Sequence, residues 1–221
     1  GEPIMYVNAE AKIIFVHNPK AAGSAIHSLL KDVYNIPERL RQDPEPEIHH
    51  RSYQQILDLN EEYKEYFSFA VVRNPWARLL SGYLDFVQNR RYQYSGKIKF
   101  DKPLLSEYDN FKDFVMKFDE GPWNKDVHFL PQHVYTHAEG RTVDLIMRQE
   151  NLTVDVHGLM TKLGFKYYQQ WFSPVPVHRT TRHGHYSEYY DEESAAKVAD
   201  LFAKDIELFG YKFEIPEEPK R

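Results

Sequence analysis

Twice in the first half of the chain, a short apolar run stops at a turn and is followed at once by apolar residues at helical spacing. This repetition constrains the fold more than any other feature. The first run spans Lys12 to His17, with Ile13, Ile14, Phe15 and Val16 contiguous. Such an unbroken, β-branched run is the pattern of a strand buried on both faces of a parallel sheet. It gives way to Asn18-Pro19-Lys20-Ala21-Ala22-Gly23-Ser24, after which Ile26, Leu29, Leu30 and Val33 mark a helix with Ser24 as its expected N-cap. The second run, Phe67 to Arg73, leads to Pro75, a residue at home in the first turn of a helix. Trp76, Leu79, Leu80, Tyr83, Leu84 and Val87 then form an apolar stripe. Two strand-turn-helix units in tandem predict an α/β domain with a central, mostly parallel sheet flanked by helices. Ligands collect at the C-terminal ends of strands in such sheets, which puts Lys20 and Arg73 at the mouth of a site.

The remaining pattern is less regular. Residues 35 to 50 carry Pro37, Pro44 and Pro46 and read as an exposed loop, followed by a helix from Ser52 to Tyr66. A short helix is expected at Phe111 to Phe118, a third strand at Thr142 to Met147, and helices at Val154 to Leu163 and Glu192 to Phe209, stopped by Gly164 and Gly210. No repeat or boundary is visible, so one domain over 1–214 is expected, with a flexible tail at 215–221. With 42% hydrophobic residues the chain can bury a core, and with 28 Lys+Arg against 33 Asp+Glu it is not a nucleic-acid coat. Any anion must therefore be held by a local cluster. There is no cysteine, which excludes thiolate metal sites and cysteine nucleophiles and fits a reducing compartment. No run approaches the ~18 apolar residues of a membrane span, so a soluble, cytoplasmic chain is expected. The alternative is a Golgi lumenal catalytic domain parted from its anchor.

The loop after the first strand combines backbone N–H groups at a helix N-terminus, small side chains and one cation, a combination suited to phosphate. It is not the nucleoside-triphosphatase loop, because Lys20 precedes the glycine, Gly23, and no Gly-Lys-Ser/Thr follows. On the second unit, Arg73 and Ser81 could fork around a second phosphate, the planar guanidinium giving two-point contact. Two anion sites on neighbouring units suit a ligand with two separated phosphates.

These residues resemble a known family. Phe15 to Ala25 is similar to the 5′-phosphosulfate loop of the sulfotransferases, and Phe69 to Tyr83 resembles their 3′-phosphate motif, with Arg73, Asn74, Pro75, Arg78 and Ser81 all matching. The resemblance continues through His50-Arg51-Ser52, His128 to Gln132, Val143-Asp144 to Asn151-Leu152, and Tyr189 to Phe213, in order along nearly the whole chain. It is strongest to the carbohydrate branch, including the heparan 2-O-sulfotransferase-like enzymes. The resemblance implies a P-loop-like three-layer fold and transfer of a sulfuryl group from 3′-phosphoadenosine 5′-phosphosulfate to a hydroxyl of a carbohydrate or small-molecule acceptor, without a metal.

Carried over residue by residue, the resemblance implies that Lys20, Ala21, Ala22, Gly23, Ser24 and Ala25 hold the 5′-phosphosulfate, with Lys20 neutralising the leaving phosphate oxygen. Arg73 and Ser81 would hold the 3′-phosphate, and Arg182 and Tyr186 would close over the nucleotide. Ala21 and Ala25 depart from the family, where hydroxyl residues are usual. His50 matches the expected general base, with its neighbour His49 as the alternative; His49, His128 and Gln132 are the acceptor-side candidates, or in the last two cases caps of an irregular segment. A metal cluster of His178, His183 and His185 lacks supporting carboxylate or cysteine spacing. Two other functions compete: an ATP-dependent small-molecule kinase with a degenerate phosphate loop, and a nucleotide-binding module without catalysis.

Overall fold

The structure is a computed structural model, which describes residues 7–37, 46–88, 108–172 and 184–217. In chain order the strands are β1 (Val7–Asn8), β2 (Ile13–Val16), β3 (Phe67–Val72), β4 (His137–Ala138), β5 (Arg141–Thr142) and β6 (Leu145–Arg148). The helices are α1 (Gly23–Val33), α2 (Pro46–His49), α3 (Tyr53–Leu57), α4 (Pro75–Gly82), α5 (Phe111–Met116), α6 (His133–Thr136), α7 (Leu152–Leu163), α8 (Glu192–Leu201) and α9 (Ala203–Phe209). They belong to two compact units, one drawn from Gly1–Arg73 and Gln132–His178, the other from Asn74–Pro131 and Arg179–Arg221.

The first unit is built on a four-stranded sheet in the order β1-β2-β3-β6. β2 pairs parallel with β3, and β3 parallel with β6, while the two-residue β1 adds an antiparallel edge. All four residues of β2 are buried, as are the last five of β3, which is why both read as unbroken apolar runs. This is the mostly parallel sheet flanked by helices that the two tandem units imply. In register, Val16 lies opposite Ala70, so β3 runs two residues further before Arg73 leaves it.

Several boundaries differ from expectation. The third strand is β6 rather than Thr142 to Met147; Arg141–Thr142 pairs instead with His137–Ala138 in a separate hairpin. Asp144 stops the extended run by clamping β3: its Oδ2 accepts from the Ser68 N–H at 2.9 Å and the Ser68 hydroxyl at 3.1 Å. The expected helix from Ser52 to Tyr66 is α3 followed by a 3-10 turn over Glu61–Glu65, because Asn60 is extended and caps a new start through its side chain. Pro46–His49 forms a helical turn within the segment expected to be loop. α7 ends as expected at Gly164, whose φ of 85° is the left-handed geometry glycine supplies.

In the second unit, Asn74 caps α4 by accepting from the N–H groups of Trp76 and Ala77, with Pro75 in the first turn. α4 passes into a π-helical turn at Tyr83–Gln88. The expected helix Phe111 to Phe118 is α5, which ends at Met116. Tyr83, Phe86, Phe111, Phe114, Phe118 and Trp123 are buried together in one core. The expected single helix from Glu192 to Phe209 is broken at Phe202 (φ −117°, ψ 30°) into α8 and α9. Phe202 stays buried, so the apolar stripe runs through the break unaltered. Asp191 and Ser194 cap α8 reciprocally, and Lys112 bonds both Asp191 and Glu193, which holds the Asp191 carboxyl well below the usual carboxylate range.

Candidate active site

The end of β2 runs directly into the loop expected to bind an anion. Lys20 (φ 60°) and Ala22 (φ 57°) both lie in the left-handed region, unusual for residues with a Cβ. Each such residue costs on the order of 1–2 kcal/mol, which the surrounding structure offsets. The helix begins at Gly23 rather than after Ser24: Ala22 is the N-cap and no side chain caps the turn. The N–H groups of Gly23, Ser24 and Ala25 therefore point out of the helix without an intrahelical acceptor.

Gly23 is needed for space and not for conformation. A Cβ at this position would overlap the His17 imidazole. That ring cannot swing aside easily, because it is buried and packed edge-on to His49 and His50, with centroids 4.0 and 4.7 Å away. Gly23→Ala is expected to cost about 1–3 kcal/mol, the range for an overpacked site. Urea denaturation reads this directly, and unchanged stability would mean that the His17 ring yields.

Arg73 is brought to the same loop. Its Nη1 donates to Lys20 O at 3.2 Å, so the two cations expected to serve separate phosphates share one edge of the sheet. The backbone of Arg73 is held by Gln132, which is fully buried. Gln132 Oε1 accepts from Arg73 N at 2.8 Å and from Asn18 Nδ2 at 2.8 Å, and Gln132 Nε2 donates to Arg73 O at 2.7 Å. Asn18 Nδ2 also donates to Val71 O at 3.0 Å. One amide thus ties the loop after β2 to the residue after β3. Gln132, expected from the sequence on the acceptor side or as a cap, is placed by these bonds between Asn18 and Arg73.

His50 is buried, and its Nδ1 lies 2.9 Å from His17 O. A carbonyl oxygen only accepts, so Nδ1 carries the hydrogen and Nε2 the lone pair, the tautomer a general base requires. Ser52 fixes the chain just beyond through a capping box with Gln55, which starts α3 and sets where His50 stands. His49 is half-buried and turns its ring toward His17 and His27, with centroids 4.0 and 5.2 Å away. Among the described residues, one set of three could hold a metal ion: His17, His27 and His49 offer ligand atoms all within 4.8 Å of one another. Sequence reading missed His17 and His27, which carry no metal-ligand spacing.

The remaining expected residues lie in the second unit. Ser81 is buried on α4, and Arg78 donates Nη1 to Leu130 O at 2.8 Å. His128 is buried with its Nδ1 2.8 Å from Asp126 Oδ1 and its ring against Phe86. Tyr186 is packed in the aromatic core, and its hydroxyl accepts from Glu214 N at 2.8 Å and Asn74 Nδ2 at 3.3 Å. That makes it a support for the Asn74 cap. Arg182, His178 and His183 lie outside the described residues.

A mostly parallel sheet flanked by helices, whose first strand-to-helix loop carries a lysine, two left-handed residues and a helix start without a side-chain cap, defines an α/β protein of the P-loop-like class. The chain belongs to the sulfotransferase family, whose model matches residues 4–212. It is 25% identical to carbohydrate sulfotransferase 14 of Danio rerio over 93% of this chain and 61% of that protein. It is 24% identical to carbohydrate sulfotransferase 10 of Xenopus laevis over 94% of this chain and 67% of that protein. The chain thus spans about three fifths of the length of the first of these relatives. No solved structure gives a significant match. Among the described residues, no helix is long and apolar enough to cross a membrane.

Proposed function

We propose that the protein transfers a sulfuryl group from 3′-phosphoadenosine 5′-phosphosulfate to a hydroxyl of a carbohydrate acceptor. The observation that carries this reading is the placement of Arg73 against the Lys20 loop, beside a helix start that no side chain caps. The N–H groups of Gly23, Ser24 and Ala25 and the Lys20 ammonium suit the 5′-phosphosulfate, and Arg73 suits the 3′-phosphate. Ser81 is assigned to that phosphate by its motif alone. Backbone donors and Lys20 do the work that hydroxyls at positions 21 and 25 would share. The acceptor class follows from the relatives, both named as carbohydrate sulfotransferases.

When bound, the donor supplies an activated sulfuryl group on its 5′-phosphate. Lys20 and the amides at the start of α1 stabilise the negative charge left on the phosphate oxygen as its bond to sulfur breaks. His50 Nε2 takes the acceptor hydroxyl proton as the new oxygen–sulfur bond forms, while its Nδ1–H stays on His17 O and holds the ring in place. The products are the sulfated acceptor, adenosine 3′,5′-bisphosphate and a proton.

Calorimetric titration with adenosine 3′,5′-bisphosphate tests the donor site, with ATP and Mg²⁺ as the comparison. Arg73→Ala should weaken bisphosphate binding about 10- to 100-fold, as expected for losing a charged hydrogen-bonding group. Equal binding by wild type and Arg73→Ala would remove Arg73 from the site. A preference for ATP with Mg²⁺ would favour a kinase, and bisphosphate binding without acceptor-dependent product would favour a non-catalytic module.

A further inference from the structure

The histidines at the edge of the sheet come from three separate elements. His17 follows β2, His27 is on the buried face of α1, and His49 ends α2. One ring nitrogen from each lies within 4.8 Å of the other two, and His17 and His27 are buried at 6% and 4% exposure. A neutral imidazole presents a lone pair at one ring nitrogen, so a single ion can bridge all three rings.

We infer that His17, His27 and His49 form a three-imidazole site for a Zn²⁺-class transition metal ion. Three histidine nitrogens at Zn–N distances of about 2.0–2.1 Å around a tetrahedral ion stand about 3.4 Å apart, so ring movements on the order of 1 Å close the set from its present spread. The fourth position stays open for water. Imidazole nitrogen selects zinc, copper, nickel or cobalt over magnesium and calcium, whose preferred ligands are oxygens. The ion joins the end of β2, the first half of α1 and α2, and so fixes His49 and the residue after it, His50. The metal site adjoins the proposed donor site and shares no residue with it, since Lys20 and Arg73 are the cations there.

The test is binding of Zn²⁺ and of Co²⁺ to the whole chain, read by equilibrium dialysis with elemental analysis and by the visible ligand-field bands of Co²⁺. One ion per chain is expected, with bands of a four- or five-coordinate nitrogen site and a raised thermal midpoint with Zn²⁺. His27→Gln and His49→Gln should each weaken binding at least about tenfold, in line with loss of one ligand. His185→Gln, at an exposed residue of the second unit, should leave binding unchanged. If His27→Gln fails to fold, His49→Gln at its half-buried position carries the comparison. Absence of saturable binding at micromolar free metal overturns the site, as does binding that survives both cluster substitutions. Bisphosphate titration is independent of this outcome, so failure of the metal site and failure of the donor reading are told apart.

Discussion

His50→Ala should lower turnover by about 10²–10⁴-fold while adenosine 3′,5′-bisphosphate binds with nearly unchanged affinity, because a general base contributes to the transition state and not to holding the nucleotide. The split between the two readouts is what identifies the role. Loss of the His50–His17 hydrogen bond also costs stability, about 1–3 kcal/mol because the buried bond loses one partner only, which is less than the stability of an ordinary domain. His50→Gln sharpens the comparison: it keeps polar reach but has no titrating nitrogen, and it should be as inactive as the alanine variant. His128 sits in a buried pair with Asp126 and is the other buried imidazole among the acceptor-side candidates, so His128→Gln is the paired control. Full turnover in His50→Ala would remove His50 as the base, and its coincidence with inactive His128→Gln would move that role to His128.

Why the strands and the loop were legible while much of the site was not follows from the range of the interactions involved. β2 and β3 are buried on both faces, so their identity is written in consecutive residues: Ile13 to Val16 and Phe67 to Val72 need no partner to be recognised. Asn74 and Pro75 mark the start of α4 by local chemistry, a side-chain cap and a fixed φ, and that boundary is found where the residues place it. β6 shifts because its start is set by Asp144 bonding to Ser68, 76 residues away, which no window of apolar residues contains. The break at Phe202 hides for the opposite reason: the buried face continues across it, so the pattern of one helix and of two is the same.

The site shows the same division. Lys20 and Arg73 could be placed at the sheet edge from strand order alone, and the structure brings them to hydrogen-bond distance. The meaning of Gly23 could not be read, since the ring it accommodates belongs to His17, the residue after β2. His17 and His27 are ten positions apart and meet His49 through tertiary folding; as single histidines in a strand end and a helix they carry no signal. Gln132 belongs to an irregular segment where sequence offered only a choice between ligand contact and cap. Its actual partners, Asn18 and Arg73, lie 114 and 59 residues away.

Gln132→Leu should therefore be among the most damaging single substitutions in the first unit. The side chain is fully buried, and its removal strands the Arg73 N–H, the Arg73 carbonyl and one Asn18 bond at once. Each buried polar group left without its partner costs about 1–3 kcal/mol, so a combined loss of about 3–5 kcal/mol is expected by denaturant titration. A merely space-filling Gln132 would show a loss below about 1 kcal/mol in the same experiment, which would refute the clamp. Gln132→Glu separates hydrogen bonding from packing, because it preserves shape but can donate to Arg73 O only when protonated. The introduced carboxyl is then held above its unfolded pKa, so the folded state binds more protons than the unfolded state across that interval. By linkage the stability of this variant should be greatest in acid and fall as pH rises through about 4 toward neutrality, relative to wild type. A difference from wild type that stays flat with pH would mean that Nε2 does not need to donate. The same loss should reach function: with Arg73 no longer fixed by its own N–H and C=O, bisphosphate affinity should fall with stability, although Gln132 touches neither phosphate site directly.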